Sequence, residues 1–581
     1  MKKTNFLKGI YVKPNDSLHA ILKSQIGDLS NGIPAGIALV IDNENKLIGT
    51  ITDGDLRRGI IKYKDKKVIA KNIMNSNPVT FKDGKSFSEV ITELPRKLSS
   101  RARKEKTFLG KIIFVDHKHT PVKVLDYHQL WEQSVATHRH IAIIGMGYVG
   151  LTLGLKLSEI GFQVTGVDKS KKIVMDLNKG VSHVYEPGID NLLKEQLSNN
   201  LRVTTKIPKN ADVYIIAVGT PVKKYNNENK PDLKILINST KDVGQNLTSG
   251  NLVILRSTIP ISTTRNSILP NLEKLSGLTG GSDFHLSFAP ERTIEGKALE
   301  ELRTLPQIIG GLNSDSVEAT VAVFRELTPI IIRVDSLEAA ELIKLINNSF
   351  RDYTFAFSNQ LAMEIKKFNI DIVDCINAAN SGYPRDKIPL PSPGVGGPCL
   401  TKDPYILDTV SEESKKESTL WKHGRKVNEK MHNHVYLSIM EQIKKVDKDS
   451  IDCNILVCGL AFKGEPETAD IRNSSSIEII EFFRNSVNSI QCHDPIVSIN
   501  QINELGLKSV EAIDAFKNMD VALFLNNNKF YNNLNYFEMV RDMNENPIIF
   551  DGWHIFESKE ILNIRPCVYM GLSSVKDSLI K

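Results

Sequence analysis

The chain has 581 residues, of which 41% are hydrophobic and 24% charged, as in a globular protein with more than one hydrophobic core. The net charge of +6 is uneven: residues 1–135 carry 24 Lys and Arg against 14 Asp and Glu, a balance of +10, which leaves −4 for the rest. This local excess, without basic residues interleaved with aromatic ones, argues against a nucleic-acid-binding surface and favours a small phosphate-bearing ligand or simple solubility.

The cysteines and the apolar segments indicate the cellular compartment in which the protein works. The six cysteines form no CxxC pair or metal-like spacing, so we expect no metal site and no disulfide framework, as in a reducing cytoplasm. The longest apolar run, residues 141–155, is shorter than the ~20 residues that span a bilayer. The N-terminus lacks the apolar segment of a signal peptide. We therefore predict a cytoplasmic protein that is not bound to a membrane.

The first 135 residues contain an approximate internal duplication. The segments "GIALVID" (36–42) and "LIGTIT" (47–52) predict two strands, and "DGDLRRGIIKY" predicts a helix that an aspartate caps. A weaker second copy follows as "KIIFVD", "VKVLD" and the helix "YHQLWE". This order resembles a tandem pair of CBS motifs, a nucleotide-sensing module. The resemblance implies that Thr52 and Asp55 hold the ribose of an adenine nucleotide. The alternative is a module that only docks or dimerises, which the same sequence pattern would also fit.

A connecting segment, residues 130–140, precedes a glycine-rich turn. In "HIAIIGMGYVG" the glycines form G-x-G-x-x-G between an apolar strand and a helix, and the next strand ends at Asp168, 18 residues after the last glycine. This context predicts a dinucleotide site, in which Asp168 binds the ribose and repels a 2′-phosphate, so NAD is favoured over NADP. The alternative is a glycine turn without a ligand. The predicted cofactor-binding residues of the turn are Gly145, Gly147, Tyr148, Val149 and Gly150.

Further strands at βαβ spacing continue to the C-terminus, interrupted by one long segment with a helical pattern. Residues 336–368 contain no Gly or Pro and predict one long helix, or two abutting ones, that links two domains and packs against its copy in a dimer. The predicted strands before it lie within residues 213–221, 251–260 and 285–292, and those after it within 453–464, 489–495, 520–526 and 547–553.

These elements predict an α/β protein with two Rossmann-like doubly wound domains, a long central helix between them and an N-terminal α+β CBS-pair module. The predicted units are a CBS-like regulatory module (1–135), an NAD-binding domain (138–332), a central helical and dimerisation region with a cysteine loop (333–435) and a second Rossmann-like domain (436–581).

The order of the motifs is specific. A nucleotide fold followed by "ELIKLINNSFRD", "PSPGVGGPCLTKDP" and "GLAFKGEPETADIRNSS" resembles the UDP-glucose/GDP-mannose dehydrogenase family from about His140 to the C-terminus. Its members oxidise C6 of a nucleotide sugar from alcohol through aldehyde to carboxylate with two NAD⁺ and no metal. The resemblance thus implies a UDP-sugar as the substrate, residues 436–581 as the UDP-sugar-binding domain, and a homodimer or higher homo-oligomer.

Within that family, "YPRDKIPLPSPGVGG" is similar to the branch acting on UDP-N-acetylmannosamine or UDP-N-acetylglucosamine, whose products are surface polysaccharide precursors. UDP-glucose is the alternative substrate. Pro398 stands where that branch commonly has a histidine, and Trp553 stands where many relatives have an arginine that contacts the sugar nucleotide.

Oxidation beyond the aldehyde explains why a cysteine stands in a glycine-rich loop. A thiolate that attacks the aldehyde gives a thiohemiacetal, hydride loss gives a thioester, and water hydrolyses the thioester. Cys399 is the predicted nucleophile, with Gly394, Gly396 and Gly397 leaving room for the ligands. The helix "PYILDTV", which Asp403 is expected to cap, and nearby lysines should favour the thiolate.

The resemblance implies roles for the remaining site residues. Lys344 and Asn348, four apart on a helix, share a face and would stabilise oxyanions. Glu291 is the candidate base for thioester hydrolysis, with Glu295 as the other possibility, and the cleft should raise such a carboxyl pKa. Thr258 and Asp403 match positions at which members of the family keep an ordered water or the cysteine loop in place. The cofactor contacts implied are Thr220, Glu295 and Arg472, and the substrate contacts are Arg385, Gly396 and Lys463.

Two other classes fit parts of the sequence. A two-electron dehydrogenase of the 6-phosphogluconate type would share the nucleotide fold, but would not need Cys399. A non-catalytic nucleotide-sensing scaffold would use the N-terminal module, but would not need Glu291, Lys344, Asn348 and Asp403 together with the cysteine.

Overall fold

The computed structural model describes residues 6–26, 35–63, 68–85, 90, 93, 97, 111–126, 139–226, 228–411 and 419–579. The second-copy helix predicted at 127–132 and most of the connecting segment at 130–140 lie outside these ranges. Among the described helices, none combines the length and the apolar character needed to cross a bilayer.

The N-terminal module contains two three-stranded sheets of the same design. In each, the first strand pairs parallel with the second and the second antiparallel with the third. The strands are β1 Tyr11–Val12, β2 Ile37–Ile41, β3 Leu47–Thr52, β4 Thr80–Lys82, β5 Lys111–Val115 and β6 Pro121–Asp126. The helices are α1 Leu18–Gln25, α2 Asp53–Tyr63 and α3 Ala70–Ile73.

The hairpin turns reveal how closely the two copies match. The Asp42 carboxylate accepts hydrogen bonds from the amides of Glu44 and Lys46, two and four residues later. The Asp116 carboxylate does the same with the amides of Lys118 and Thr120. The strand register shifts at the equivalent point in both hairpins. The predicted duplication is therefore confirmed for the described strands.

The first Rossmann-like domain is built on an eight-stranded sheet, parallel except for the β14–β15 pair. Its order is β16-β15-β14-β13-β10-β7-β8-β9, and β11 and β12 form a separate hairpin. The strands are β7 His140–Ile144, β8 Gln163–Val167, β9 Leu201–Thr204, β10 Val213–Ile216, β11 Val222–Tyr225, β12 Glu228–Pro231, β13 Leu252–Leu255, β14 His285–Phe288, β15 Gln307–Gly311 and β16 Ile331–Val334. The helices are α4 Tyr148–Ile160, α5 Lys171–Asn178, α6 Ile189–Leu197, α7 Lys234–Gly244, α8 Leu269–Ser276, α9 Ala298–Thr304 and α10 Ser314–Phe324.

The central region is helical, and its two long helices pack against each other. The predicted long helix is confirmed as a 29-residue helix followed by a 3₁₀ turn at Lys366–Phe368. Ser336 caps it, because its side chain accepts a hydrogen bond from the Ala339 amide. The helices are α11 Leu337–Ile365, α12 Ile372–Asn380, α13 Asp403–Asp408 and α14 Leu420–Lys445.

The C-terminal domain repeats the doubly wound design on a seven-stranded sheet, parallel except at its last pair. Its order is β19-β18-β17-β20-β21-β22-β23, so the predicted α/β fold class is confirmed. The strands are β17 Asn454–Cys458, β18 Ser489–His493, β19 Lys508–Ser509, β20 Val521–Phe524, β21 Ile548–Asp551, β22 Val568–Met570 and β23 Val575–Asp577. The helices are α15 Ser475–Phe483, α16 Ile499–Glu504, α17 Tyr536–Asp542 and α18 Ser558–Leu562.

Candidate active site

The glycine turn between β7 and α4 has the shape that a dinucleotide requires. A Cβ on Gly150 would lie 1.8 Å from the Gly145 carbonyl oxygen, so only glycine lets the helix start this close to the strand. A Cβ on Gly147 would meet nothing within 4 Å, so open space lies over the turn. No side chain caps α4, so its first amides, from Tyr148 and Val149 onward, are available to a pyrophosphate.

Asp168 lies at the carboxyl end of β8, beside this turn. Its two carboxylate oxygens accept hydrogen bonds from the Met146 amide at 3.0 Å and the Ser170 amide at 2.9 Å. This fixes the carboxylate next to the glycine turn, where it can also accept bonds from ribose hydroxyls. The residues present therefore fit NAD, and a negative charge here disfavours a 2′-phosphate.

The three glycines of the cysteine loop (residues 391–402) have a different role from the predicted one. A Cβ would lie 2.4 Å from His432 Nε2 at Gly394, and 2.6 Å from the Phe462 ring at Gly397. At Gly396 it would lie 2.5 Å from the Asn473 carbonyl oxygen. The expectation that these glycines leave room for ligands is wrong, because protein atoms of α14 and of the C-terminal domain fill that space.

Cys399 is exposed at this loop, and its backbone carbonyl accepts hydrogen bonds from the amides of Lys402 and Asp403, where α13 begins. Desolvation by the surrounding protein raises the pKa of the Cys399 thiol, although the charges of Lys344 and Lys402 act in the opposite direction. Asp403 and Glu295 add to the rise. The net shift of the thiol pKa is therefore upward, opposite to the expected help toward a thiolate.

Asp403 is fully buried beside the cysteine and connects α11 to the loop. Its carboxylate accepts hydrogen bonds from Asn348 Nδ2 at 2.5 Å and from Lys402 Nζ at 2.5 Å. It is the first residue of α13, and Lys402 occupies the cap position, so the prediction that Asp403 caps this helix is wrong. Lys344 lies one turn before Asn348, half-buried and close enough for its charge to act on both Cys399 and Glu291.

Glu291 is held by a buried cation that the sequence analysis did not identify. Arg256, at the end of β13, donates to one carboxylate oxygen, and the Arg292 and Thr293 amides donate to the other at 2.7 and 2.9 Å. Desolvation pushes the pKa of Glu291 up, but the Arg256 charge and these hydrogen bonds outweigh it, so the pKa is lowered. The expected rise does not occur at this residue.

Glu295 has the raised pKa instead. Desolvation and the negative charge of Asp470 raise the pKa of its carboxyl to about 7, against the opposing charges of Arg472 and Lys463. Lys463 Nζ donates to the Glu295 backbone carbonyl at 2.6 Å, and desolvation lowers the pKa of this lysine to about 8. The Arg472 guanidinium lies 3.5 Å from the Glu295 carboxylate. Residues of the C-terminal domain therefore reach the NAD-binding domain at Glu295.

The other predicted residues are distributed around these contacts. Thr220 Oγ1 donates to the Thr258 carbonyl at 2.6 Å, which ties the ends of β10 and β13 together. Arg385 lies on an exposed segment with its guanidinium over the Tyr383 ring, and within the described part of the chain no hydrogen bond joins it to the cysteine loop. Trp553 Nε1 donates to the Leu525 carbonyl at 2.9 Å, so its indole turns onto the end of β20.

Glu186 is a second residue that the sequence analysis missed. It is buried, and its carboxylate accepts hydrogen bonds from the Tyr148 hydroxyl and from the Gly296 and Leu299 amides. It therefore joins the glycine turn to the segment that carries Glu295. A lone acid in "YEPG" gives no local signal for this role, because its partners lie 38 and 110 residues away along the chain.

Thr52 and Asp55 lie together at the start of α2. Asp55 Oδ2 accepts hydrogen bonds from the Thr52 amide at 3.1 Å and the Thr52 hydroxyl at 2.8 Å, and Asp55 Oδ1 pairs with Arg58 at 2.8 Å. A cation thus stands beside the carboxylate on the exposed side of the module.

Models of known families match most of this architecture. Residues 139–328, 338–430 and 456–558 match the NAD binding, central and UDP binding domains of the UDP-glucose/GDP-mannose dehydrogenase family, and residues 7–62 match a CBS domain. The NAD predicted from the glycine turn is accordingly the cofactor of this fold.

Individual proteins similar to this chain agree with the family models. The chain is 36% identical over 360 residues to UDP-N-acetyl-D-mannosamine dehydrogenase of Pyrococcus horikoshii, covering 61% of this chain and 84% of that protein. It is 34% identical to the enzyme of the same name from Campylobacter jejuni, covering 58% and 82%. The solved structure of the UDP-D-ManNAc dehydrogenase from P. horikoshii superposes with a TM-score of 0.67 at 31% identity, covering 75% of this chain and 99% of that one. The chain therefore belongs to the UDP-glucose/GDP-mannose dehydrogenase family and is an NAD-dependent nucleotide-sugar dehydrogenase.

Proposed function

We propose that this protein oxidises the C6 hydroxyl of a UDP-sugar to a carboxylate in two steps, with Cys399 as the nucleophile of the second. The observation that carries the proposal is an exposed cysteine surrounded by Lys344, Lys402, Asp403 and Glu295, where the NAD-binding and C-terminal domains meet. The names of the relatives point to UDP-N-acetylmannosamine as the sugar nucleotide. NAD⁺, when bound, accepts the hydride that leaves C6 in each oxidation.

The side chains then have the following roles. Lys344 and Asn348 stabilise the alkoxide of the substrate and the later tetrahedral oxyanion, and Asp403 holds Asn348 in place. As sulfur of Cys399 bonds to C6 of the aldehyde, the thiol proton passes to the C6 oxygen and a thiohemiacetal forms; loss of a hydride from C6 and of the hydroxyl proton then leaves a thioester. Water then displaces the sulfur, which regains a proton as the C6 carboxylate is released.

Of the two glutamates, Glu295 is the one suited to accept a proton from that water. Glu291 is ionised but engaged by Arg256 and two amides, whereas Glu295 has a pKa of about 7 and can exchange a proton near neutral pH. We assign Glu291 to the electrostatic support of Lys344 and Arg256.

The test is to incubate the protein with NAD⁺ and, separately, UDP-N-acetylmannosamine, UDP-N-acetylglucosamine and UDP-glucose. We expect two NADH and one uronic acid per sugar, with the highest kcat/KM for UDP-N-acetylmannosamine. A higher kcat/KM for UDP-glucose would support the alternative sugar, and the Trp553 and Pro398 departures make this comparison necessary. One NADH per sugar would support the two-electron class, and no NADH with any sugar would support the scaffold.

The pH dependence of the oxidation rate is expected to follow the protonation of Glu295 and Lys463. Glu295 accepts a proton only when ionised, so acid formation should rise as the pH increases through about 7. Lys463 carries charge only below its pKa of about 8, so the rate should fall above that pH. We expect a bell-shaped kcat/KM profile between about pH 5 and 10.

Two variants distinguish Glu295 from Glu291 as the group that causes the acidic limb of the pH profile. Glu295→Gln should remove the acidic limb of this profile. Glu291→Gln should lower the rate and leave that limb in place, because the pKa of Glu291 is already lowered. An acidic limb that survives in Glu295→Gln and disappears in Glu291→Gln would reverse the assignment.

The N-terminal module is proposed to bind an adenine nucleotide at Thr52 and Asp55. At a ligand concentration of 100 times Kd, binding adds about 2.7 kcal/mol to the free energy of unfolding of the part that binds, so AMP or ATP should raise its melting temperature by several degrees. Asp55→Ala should abolish the shift, whereas Glu44→Ala, on an exposed turn of the same module, should retain it. Absence of any shift in the wild type would favour a docking module.

We also propose that the protein is a homodimer through α11. Ile346, Phe350, Tyr353 and Phe357 recur at spacings of three and four along that helix and are all exposed, with Phe350 66% accessible. Such a stripe is suited to pack on a second copy of the same helix. Sedimentation should give twice the 64.9 kDa of one chain, and a monomer at working concentration would contradict the proposal.

A further inference from the structure

Four buried polar side chains lie in the interface between α11 and α14. Asp352 and Asn359 on α11 and Asn428 on α14 are 0% exposed, and Arg425 on α14 is 1% exposed. Packed helices ordinarily bury apolar side chains, and a buried ion pair gains little or no net stability from its desolvated charges. A set of this kind therefore invites a role other than stability.

The four side chains form one hydrogen-bonded chain across the two helices. Asp352 Oδ1 accepts hydrogen bonds from Arg425 Nη1 at 2.8 Å and from Asn428 Nδ2 at 2.9 Å. Asn428 Oδ1 in turn accepts one from Asn359 Nδ2 at 2.8 Å. Each member thus fixes the orientation of its neighbour.

Both ends of this chain reach the cysteine loop. Asn359 Oδ1 accepts a hydrogen bond from the Ser392 amide at 2.9 Å, and the Ser392 hydroxyl donates to the Gly394 carbonyl at 2.9 Å. At the other end, Arg425 Nη1 donates to the carbonyl of Leu400, the residue after Cys399, at 3.4 Å. The loop is held at two points that flank the sulfur.

The C-terminal domain holds the loop at further points. The Gly397 amide donates to the Asn473 carbonyl at 3.0 Å, and Thr401 Oγ1 donates to the Gly397 carbonyl at 2.7 Å. Asn473 Nδ2 donates to Thr401 Oγ1 at 3.0 Å. A glycine-rich segment is therefore fixed from the helices and from the C-terminal domain, while its cysteine stays exposed.

We propose that Asp352, Asn359, Arg425 and Asn428 are positioning residues for Cys399. Their contacts set the backbone on both sides of the cysteine, and through it the direction from which sulfur meets the C6 aldehyde. A displacement of about 1 Å can cost ~10²-fold in rate. The inference rests on the proposed role of Cys399, and it assigns these four residues to the second oxidation rather than the first.

The first test is Asn359→Ala, which releases the Ser392 amide. The matched control is Asn251→Ala, a buried asparagine that likewise joins two segments, accepting from the Thr248 amide and donating to the Ala211 carbonyl, at the amino end of β13. The rates of alcohol oxidation and of oxidation of the C6 aldehyde are measured separately, together with alkylation of Cys399 by iodoacetamide.

We expect Asn359→Ala to lower aldehyde oxidation by ~10²-fold, to leave alcohol oxidation little changed and to alter the alkylation rate. The control should leave the ratio of the two oxidation rates at the wild-type value. A merely structural role for Asn359 would lower both oxidations together through the folded fraction.

Ser392→Ala is a milder second variant, which removes one hydroxyl and the bond to the Gly394 carbonyl while keeping the Asn359 contact. It should shift the rate ratio in the same direction by less. If Asn359→Ala does not fold, Asn428→Ser, which removes the amide that links Asn359 to Asp352, decides the question. An unchanged rate ratio and an unchanged alkylation rate in a folded variant would overturn the inference. Replacement of Cys399 tests its role as the nucleophile separately. The alkylation rate of Cys399 reports how the loop holds the thiol whether or not that role is correct.

Discussion

Replacement of Cys399 by serine is expected to stop the reaction at the aldehyde. Serine can neither reach a comparable anionic state nor form a thioester, so acid formation should fall by roughly 10³-fold or more while the alcohol oxidation persists. The product should be one NADH and one C6 aldehyde per sugar instead of two NADH and one acid. NADH absorbance gives the stoichiometry, and mass spectrometry of the trapped aldehyde identifies the product.

The control for this substitution is Cys375→Ser. Cys375 is also exposed but lies on α12, where neither the sequence nor the structure assigns it a role. It should keep two NADH per sugar at the wild-type rate. If Cys399→Ser also kept two NADH per sugar, the second hydride would have to leave the aldehyde hydrate and not a thiohemiacetal, and the thioester route would be excluded.

Replacement of Lys344 by alanine should have the second largest effect. Lys344 is the cation of α11 whose charge acts on the cysteine, and loss of one preorganised oxyanion donor typically costs ~10²–10³-fold in kcat. Both oxidations should slow, because an oxyanion develops in each. This distinguishes Lys344→Ala from Cys399→Ser, which affects only the second.

The same substitution should change the reactivity of the thiol. Lys344 lowers the pKa of Cys399 against the desolvation that raises it, so its removal should move the alkylation profile of Cys399 to higher pH. Lys430→Ala, which removes an exposed lysine of α14, should change neither kcat nor that profile. An alkylation profile that stays in place in Lys344→Ala would mean that the two groups do not interact.

Elements whose signals are local could be predicted from the sequence. The strand at Leu47–Thr52 and the helix at Asp53–Tyr63 occur at the predicted residues, and the long helix begins one residue later than predicted. Apolar runs and turn residues specify such elements within a few positions. The long helix α14 and the β11–β12 hairpin went unpredicted, because polar residues dilute the apolar pattern of the first and the second is two short, half-exposed strands.

The chemical state of the site could not be predicted in the same way. The charges near Cys399 were visible in the sequence, but the desolvation that outweighs them was not. Glu291 and Glu295 stand four residues apart in one motif, yet Arg256 lowers the pKa of the first while burial and Asp470 raise that of the second. Each of these partners lies far away along the chain.

By itself, the sequence determined the nucleotide fold, the cofactor, the family and the residue types gathered around one cysteine, because these depend on motifs read over short stretches. Only the tertiary structure decided which glutamate titrates near neutral pH, what occupies the space beside the loop glycines and how the cysteine loop is held. The physical reason is that desolvation, close packing and hydrogen-bond geometry depend on distances between segments that folding alone brings together.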